Sequence, residues 1–193
     1  DFIDNESVTM AQKMIERILK ASYRFDRTGE KLYLDNYKYT KLNYSSSGQQ
    51  EAIWILLLIF LLILENKKVF VVIEEPEAHL YPEAQKEIVD MIALLANREG
   101  NQVIITTHSP YILTSINNLL YAKKIGEKSP EAVSQKIHPK LWLTKTHLDA
   151  FFIDKGSVTS IVDKELELLQ PEAIDSASRI INDDYDFLFN LDE

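Results

Sequence analysis

Cysteine is absent from the 193-residue chain. That excludes a disulfide framework and any thiolate metal site, and it fits a reducing interior. Positive charge is also in short supply, with 21 Lys and Arg against 30 Asp and Glu, a formal balance of −9. Neutralising phosphates takes clustered Lys and Arg, so the bulk surface is not built to hold a nucleic acid. The acidic excess is greatest from Asp163 to Glu193, where Asp183, Asp184 and Asp186 lie close together. There are no internal repeats, no low-complexity segments and no signal peptide pattern. The one long apolar run, Ile53 to Leu64, is about a dozen residues, well short of the ~20 that cross a bilayer. It sits between Gln49-Gln50-Glu51 and Glu65-Asn66-Lys67-Lys68, so it is expected to be a buried core helix with no membrane role. The apolar fraction is ordinary for a globular protein, and the length suits one or two domains. The chain opens on Asp1-Phe2 rather than Met, which reads as a fragment or a processed piece.

What is present is strong periodicity. Ser7 to Ala21 places Val8, Ala11, Met14, Ile15, Ile18 and Leu19 at helical spacing. Thr28-Gly29 marks a turn, and Lys31–Asp35 and Tyr37–Tyr44 read as strands separated near Asn36. Ser45-Ser46-Ser47-Gly48 then breaks the chain before the apolar run. A serine there, with glutamine three or four residues on, is an N-cap pattern. Val69–Ile73 is β-branched and bounded by charge, as a buried central strand would be. Pro82–Asn97 returns to helical spacing through Ile88, Met91, Ile92 and Leu95, and Gly100 ends it. Val103–Thr107 reads as a second buried strand, and Ser109-Pro110 opens another helix. Strand, helix, strand, helix in this order predicts a parallel sheet with right-handed crossovers. Beyond Lys123 the pattern weakens. A loop is expected over 126–130, short strands at Lys140–Leu143, Ala150–Asp154 and Val158–Val162, and a terminal helix over Asp175–Phe189.

In open α/β sheets, ligands sit at the carboxyl ends of the strands. Both predicted strands deliver reactive side chains there: Glu74-Glu75 after the first, His108 after the second. Adjacent carboxylates at the end of an apolar strand are costly unless something cationic meets them. Hydrated Mg²⁺ held with phosphates would do so, leaving the second acid to orient or deprotonate a water. An imidazole beside them can hydrogen-bond a phosphate. Ser46-Ser47-Gly48-Gln49 offers hydroxyls and helix-start amides, which receive anions.

These segments carry a family resemblance. Tyr44-Ser-Ser-Ser-Gly-Gln-Gln-Glu51 resembles the ABC signature motif. Val69 to Gln85, with Glu-Glu-Pro-Glu-Ala-His-Leu-Tyr-Pro-Glu-Ala-Gln at its end, resembles a Walker B strand and its D-loop. Val103-Ile-Ile-Thr-Thr-His-Ser-Pro110 resembles the switch strand. The ensemble, clear from Tyr44 to Leu120, is similar to the C-terminal half of AAA-type ABC ATPases of the OLD and RecF group. The resemblance implies an α/β, P-loop NTPase-like parallel sheet flanked by helices, present here as its incomplete distal half. It divides the chain into 1–43 (helix and strand hairpin), 44–125 (ATPase core) and 126–193 (extension ending in an acidic helix).

By position, the resemblance implies that Ser46, Ser47, Gly48 and Gln49 bind the γ-phosphate of an ATP held by an opposing subunit. Glu74 would hold Mg²⁺ through water, Glu75 would be the catalytic glutamate, and His108 the switch histidine. Residues Glu77 to Leu80 would form the D-loop, with His79 structural. Expected partners are ATP, Mg²⁺, a second copy of the chain, and DNA only through segments not present; the expected location is the cytoplasm. Two departures stand out. Glu74 replaces the commoner aspartate, and no G-x-x-x-x-G-K-[ST] phosphate loop occurs among only five glycines. The isolated chain is therefore expected to be inactive. The alternatives are a nucleotide-gated dimerisation module that does not turn over, and part of an OLD-type nuclease using Asp184 and Asp186.

Overall fold

A computed structural model describes residues 4–163 and 165–190, the side chains of residues 176–179 aside. Asp4 caps the first helix, α1 (Asn5–Leu19), by accepting from the Ser7 amide at 3.2 Å. Ala11, Met14, Ile15, Ile18 and Leu19 form its buried stripe, as the spacing predicts. Lys20 ends it in the left-handed region (φ 51°).

An antiparallel sheet follows: β1 (Ser22–Asp26), β2 (Gly29–Tyr33) and β3 (Tyr39–Lys41). The first strand escapes the sequence reading because it buries no side chain fully. The predicted strand over 37–44 shrinks to three residues and gives way to a 3-10 turn at Leu42–Tyr44.

Helix α2 (Ser47–Glu65) carries the apolar run. Its N-terminus is a capping box: Ser46 Oγ accepts from the Gln49 amide while Gln49 Oε1 accepts from the Ser46 amide. Gly48, Ala52, Ile53, Leu56, Ile59 and Ile63 are buried, but Trp54, Leu58 and Leu61 are exposed. The helix is therefore only half a core helix. At 19 residues it is also, among the described residues, the one helix long and apolar enough to cross a membrane, which corrects the length estimate made from the apolar run alone. Its inner face packs on α1 and α3.

Strand β4 (Phe70–Glu74) and β5 (Gln102–Thr106) pair in parallel, Phe70 against Gln102 through Glu74 against Thr106. Helix α3 (Pro82–Ala96) connects them, and α4 (Pro110–Gly126) follows with Ser109 as its cap. Neither strand is buried on both faces, contrary to expectation. Phe70, Val72 and Ile104 are exposed on one side, while Val71, Ile73, Val103 and Ile105 meet the core on the other. Apolar continuity in a strand signals two covered faces. Here the second cover is missing among the described residues.

Past α4 lies a short helix, α5 (Pro130–Ser134). The strand predicted at Lys140–Leu143 is instead a 3-10 turn, Pro139–Leu141, because Pro139 has no N–H for a ladder and His138 Nδ1 caps the turn. Hairpin β6 (Phe151–Asp154) and β7 (Ser157–Ser160) matches the reading closely, as does the terminal α6 (Ser176–Phe189). Buried side chains from α1, β2, α2, β4, α3, α4 and the segment around Leu141, Ile161 and Leu169 join one hydrophobic cluster.

Candidate functional site

The carboxyl end of the β4–β5 pair is where the chain gathers its reactive groups. Glu74 is the last residue of β4, exposed, and stands opposite Thr106. The Glu75 amide donates to the Thr106 carbonyl at 2.9 Å, one further rung of the ladder. The backbone then turns at once: Glu75 has φ 43°, and His79 has φ 59°. Non-glycine residues in the left-handed region are held there by their surroundings at a cost of about 1–3 kcal/mol each. The turn is fixed by two carbonyls, Glu75 accepting from the Ala78 amide and Glu77 from the Leu80 amide, both at 2.9 Å.

His108 leaves the end of β5 towards the same rim. Its Nε2 lies 3.5 Å from Glu75 Oε1, and both side chains are mostly exposed. Glu75 and His108 thus face one another across adjacent parallel strands, with Glu74 beside them. Among the described residues no group of three or more His, Cys, Asp or Glu could enclose a metal. One or two carboxylates with the rest of the shell from water and phosphate is the usual holding of Mg²⁺, and Glu74 with its neighbour supplies that kind of donor set.

The glycine of Ser46-Ser47-Gly48-Gln49 has a local reason. A Cβ at Gly48 would stand 2.4 Å from the His79 carbonyl oxygen, so only glycine lets α2 and the turn touch. The His79 imidazole adds a second tie, Nε2 to Glu51 Oε2 at 3.3 Å. Gln49 is tied into the cap and to α1. Its side-chain oxygen is engaged by Ser46, and its Nε2 donates to the Leu19 carbonyl at 2.6 Å. It shapes the turn, with one of the two Nε2 protons given to Leu19. Ser46 and Ser47 remain exposed, with Ser46 Oγ given to the cap. A cleft of about 280 Å³ between α1, the start of α2 and the turn includes Ser46, Gly48 and Gln49 but none of Glu74, Glu75 and His108.

Sequence reasoning placed Glu77 only in the connecting turn. In the structure it is a buried carboxylate at the hub: Oε1 accepts from Thr107 Oγ1 at 2.6 Å and from the His108 amide at 2.9 Å. Thr107 Oγ1 in turn accepts from the Ser109 amide at 3.0 Å, and Ser109 Oγ donates to Gln85 at 2.6 Å. The available signal was its place as the third acid in Glu74-Glu75-Pro76-Glu77. The aspartates Asp184 and Asp186 lie on α6 among exposed neighbours, remote in kind from a metal cage.

An exposed glutamate and histidine thus meet at the carboxyl ends of two parallel strands, beside a second acid. The chain belongs to the AAA ATPase domain family, whose profile matches residues 3–113 and so takes in α1, the Ser46–Gln49 turn, Glu74, Glu75 and His108. Membership makes this an ATPase domain and makes ATP with Mg²⁺ its ligand class. No curated protein matches the chain. A solved structure described as the structural biochemistry of ATP-driven dimerization and DNA stimulated activation of SMC ATPases is similar over 92% of each chain, at 12% identity and TM-score 0.46.

Proposed function

We propose that the chain is the distal part of an ATP-hydrolysing ABC-type ATPase of the OLD and RecF-like group, working as a nucleotide-gated dimer in the cytoplasm. The observation that carries this reading is the 3.5 Å approach of His108 to Glu75 at the ends of two parallel strands. Glu75 accepts a proton from an attacking water as its oxygen bonds the γ-phosphorus and the bond to the β-phosphate oxygen breaks. His108 donates a hydrogen bond to the γ-phosphate. Glu74 would hold Mg²⁺ through water, the ion supplying charge neutralisation on the phosphates.

Ser46, Ser47 and Gly48 serve the nucleotide of the opposing copy. Their place at a helix start, whose first-turn amides are left open, supports that role. A phosphate loop must come from another part of the protein or from a partner. The bare faces of β4–β5 and α2, with Phe70, Val72, Ile104 and Trp54 exposed, support its docking there. Any role with DNA rests on that remainder, since this chain carries −9.

The test pairs this chain with its phosphate-loop portion and measures phosphate release and mass in solution. Glu75→Gln is expected to slow turnover by about 10²–10⁴ while ATP still closes a dimer. Equal hydrolysis by Glu75→Gln overturns the assignment. Closure with ATP but no phosphate release from the unmodified protein favours a gate that does not turn over.

A further inference from the structure

We infer that Glu77 is a positioning residue that locks the switch histidine to the turn after β4, so that the Glu75–His108 pair moves as one unit with that turn. The inference rests on the hydrolytic reading above and extends it to a residue outside the reacting set.

The geometry is specific. Glu77 is buried, and its Oε1 holds both the Thr107 hydroxyl and the His108 backbone amide. Through Thr107 Oγ1 the same contact reaches the Ser109 amide, the cap of α4. On its own side, the Glu77 carbonyl closes the turn by accepting from Leu80. That turn also carries Glu75 and presses the His79 carbonyl against Gly48. One carboxylate therefore joins the acid, the histidine and the start of α2.

Stability does not account for the choice of residue. Glu77 Oε2 is buried with no hydrogen-bond donor among the described residues. Burying an unpaired charged oxygen is costly, whereas a neutral acceptor could take the same two bonds without that penalty. A retained carboxylate here makes the grip on His108 strong, because hydrogen bonds to ionised acceptors are about twice as strong as neutral ones. Since a small misplacement of a reacting group can cost up to about a hundredfold in rate, a firm hold on His108 bears on turnover.

Two measurements decide the matter. The first is amide hydrogen exchange on the 193-residue chain. Glu77→Ala is expected to speed exchange at His108 by about tenfold to a hundredfold, leaving Ile88 and Leu95 in α3 unchanged, whereas Glu77→Gln keeps part of the protection. Unchanged exchange at His108 in Glu77→Ala overturns the inference. Should Glu77→Ala lose protection at Ile88 and Leu95 as well, Thr107→Val decides instead. It removes one leg of the contact, and faster exchange at both His108 and Ser109 is expected, with no change counting against. The second measurement is turnover with the phosphate-loop portion present. Glu77→Ala is expected to lower kcat about tenfold or more with KM for ATP unchanged, and Glu77→Gln, a weaker neutral acceptor, to recover part of it. If Glu75→Gln abolishes turnover but Glu77→Ala does not alter kcat, the lock fails and the hydrolytic reading stands. If Glu75→Gln leaves turnover intact, the hydrolytic reading fails and only the exchange result judges the lock.

Discussion

Gly48 shows what a single residue contributes here. The signature-like run invites reading its glycine as an opening for phosphate, yet the nearest obstacle to a side chain is the protein's own His79 carbonyl. Gly48→Ala forces backbone against backbone, and an overpacked contact of this kind costs about 1–3 kcal/mol. Chemical denaturation of the variant is expected to show that loss, accompanied by a changed environment at His79. A variant as stable as the original would mean that the contact yields freely. At this scale the sequence was most informative where chemistry lies at an element's end. Glu74, Glu75 and His108 were legible because strand ends and their order follow from pattern. Glu77 and the inward turn of Gln49 were not, since both depend on which buried groups a side chain meets after folding.

Helix α2 ends by a device that sequence pattern also hides. Asn66 takes the left-handed conformation (φ 53°), and Arg98, from the end of α3, donates to the Leu62 carbonyl at 3.2 Å, to the Ile63 carbonyl and to Asn66 Oδ1. A guanidinium at a helix C-terminus satisfies open carbonyls and opposes the negative end of the dipole. Arg98→Ala is expected to cost about 1–3 kcal/mol and to speed amide exchange in the last turn of α2 before the rest of the helix. No change in urea midpoint would show that water replaces the arginine without loss. The elements that pattern predicted well, α1, α3 and α4, are helices with regularly spaced apolar residues, a single buried stripe in α1 and burial on all sides over Ile88–Leu95 in α3. Strand β1 was missed because it buries no side chain fully, and Lys140–Leu143 was misread because a proline-led turn mimics a short apolar strand. Strands β4 and β5 were placed correctly but given two covers, since an unbroken run of Val and Ile is the pattern of a strand covered on both faces.

Across the whole molecule, the start of α1 and the segment after α5 are fastened together by charge. Lys140 Nζ lies 2.7 and 2.6 Å from the Asp4 carboxylate oxygens and 3.0 Å from Glu6, and His138 approaches Glu6 at 3.4 Å. Hydrogen bonds from Lys140 first, then from Ser7, hold the Asp4 carboxyl well below the usual aspartate range, and Lys140 lowers Glu6 likewise. A carboxylate whose folded value is depressed stabilises the fold above its ordinary value, near 3.8 for aspartate, and loses that contribution as pH falls below it. The clamp should therefore be fully engaged at neutral pH and fail progressively on the acid side of pH 4.5, the ordinary glutamate value. Because these groups are partly exposed, salt screens the contact and the effect is modest. Lys140→Met keeps the stem's packing and removes the charge. Urea midpoints of variant and original are expected to differ at pH 6 and to lie closer together at pH 3 without coinciding, because the strongly depressed Asp4 carboxyl keeps its charge in the folded state there. A difference that stays the same at both pH values would mean that the segment after α5 is held by the packing of its Pro139–Leu141 turn against α3 and α4, with the charges as bystanders.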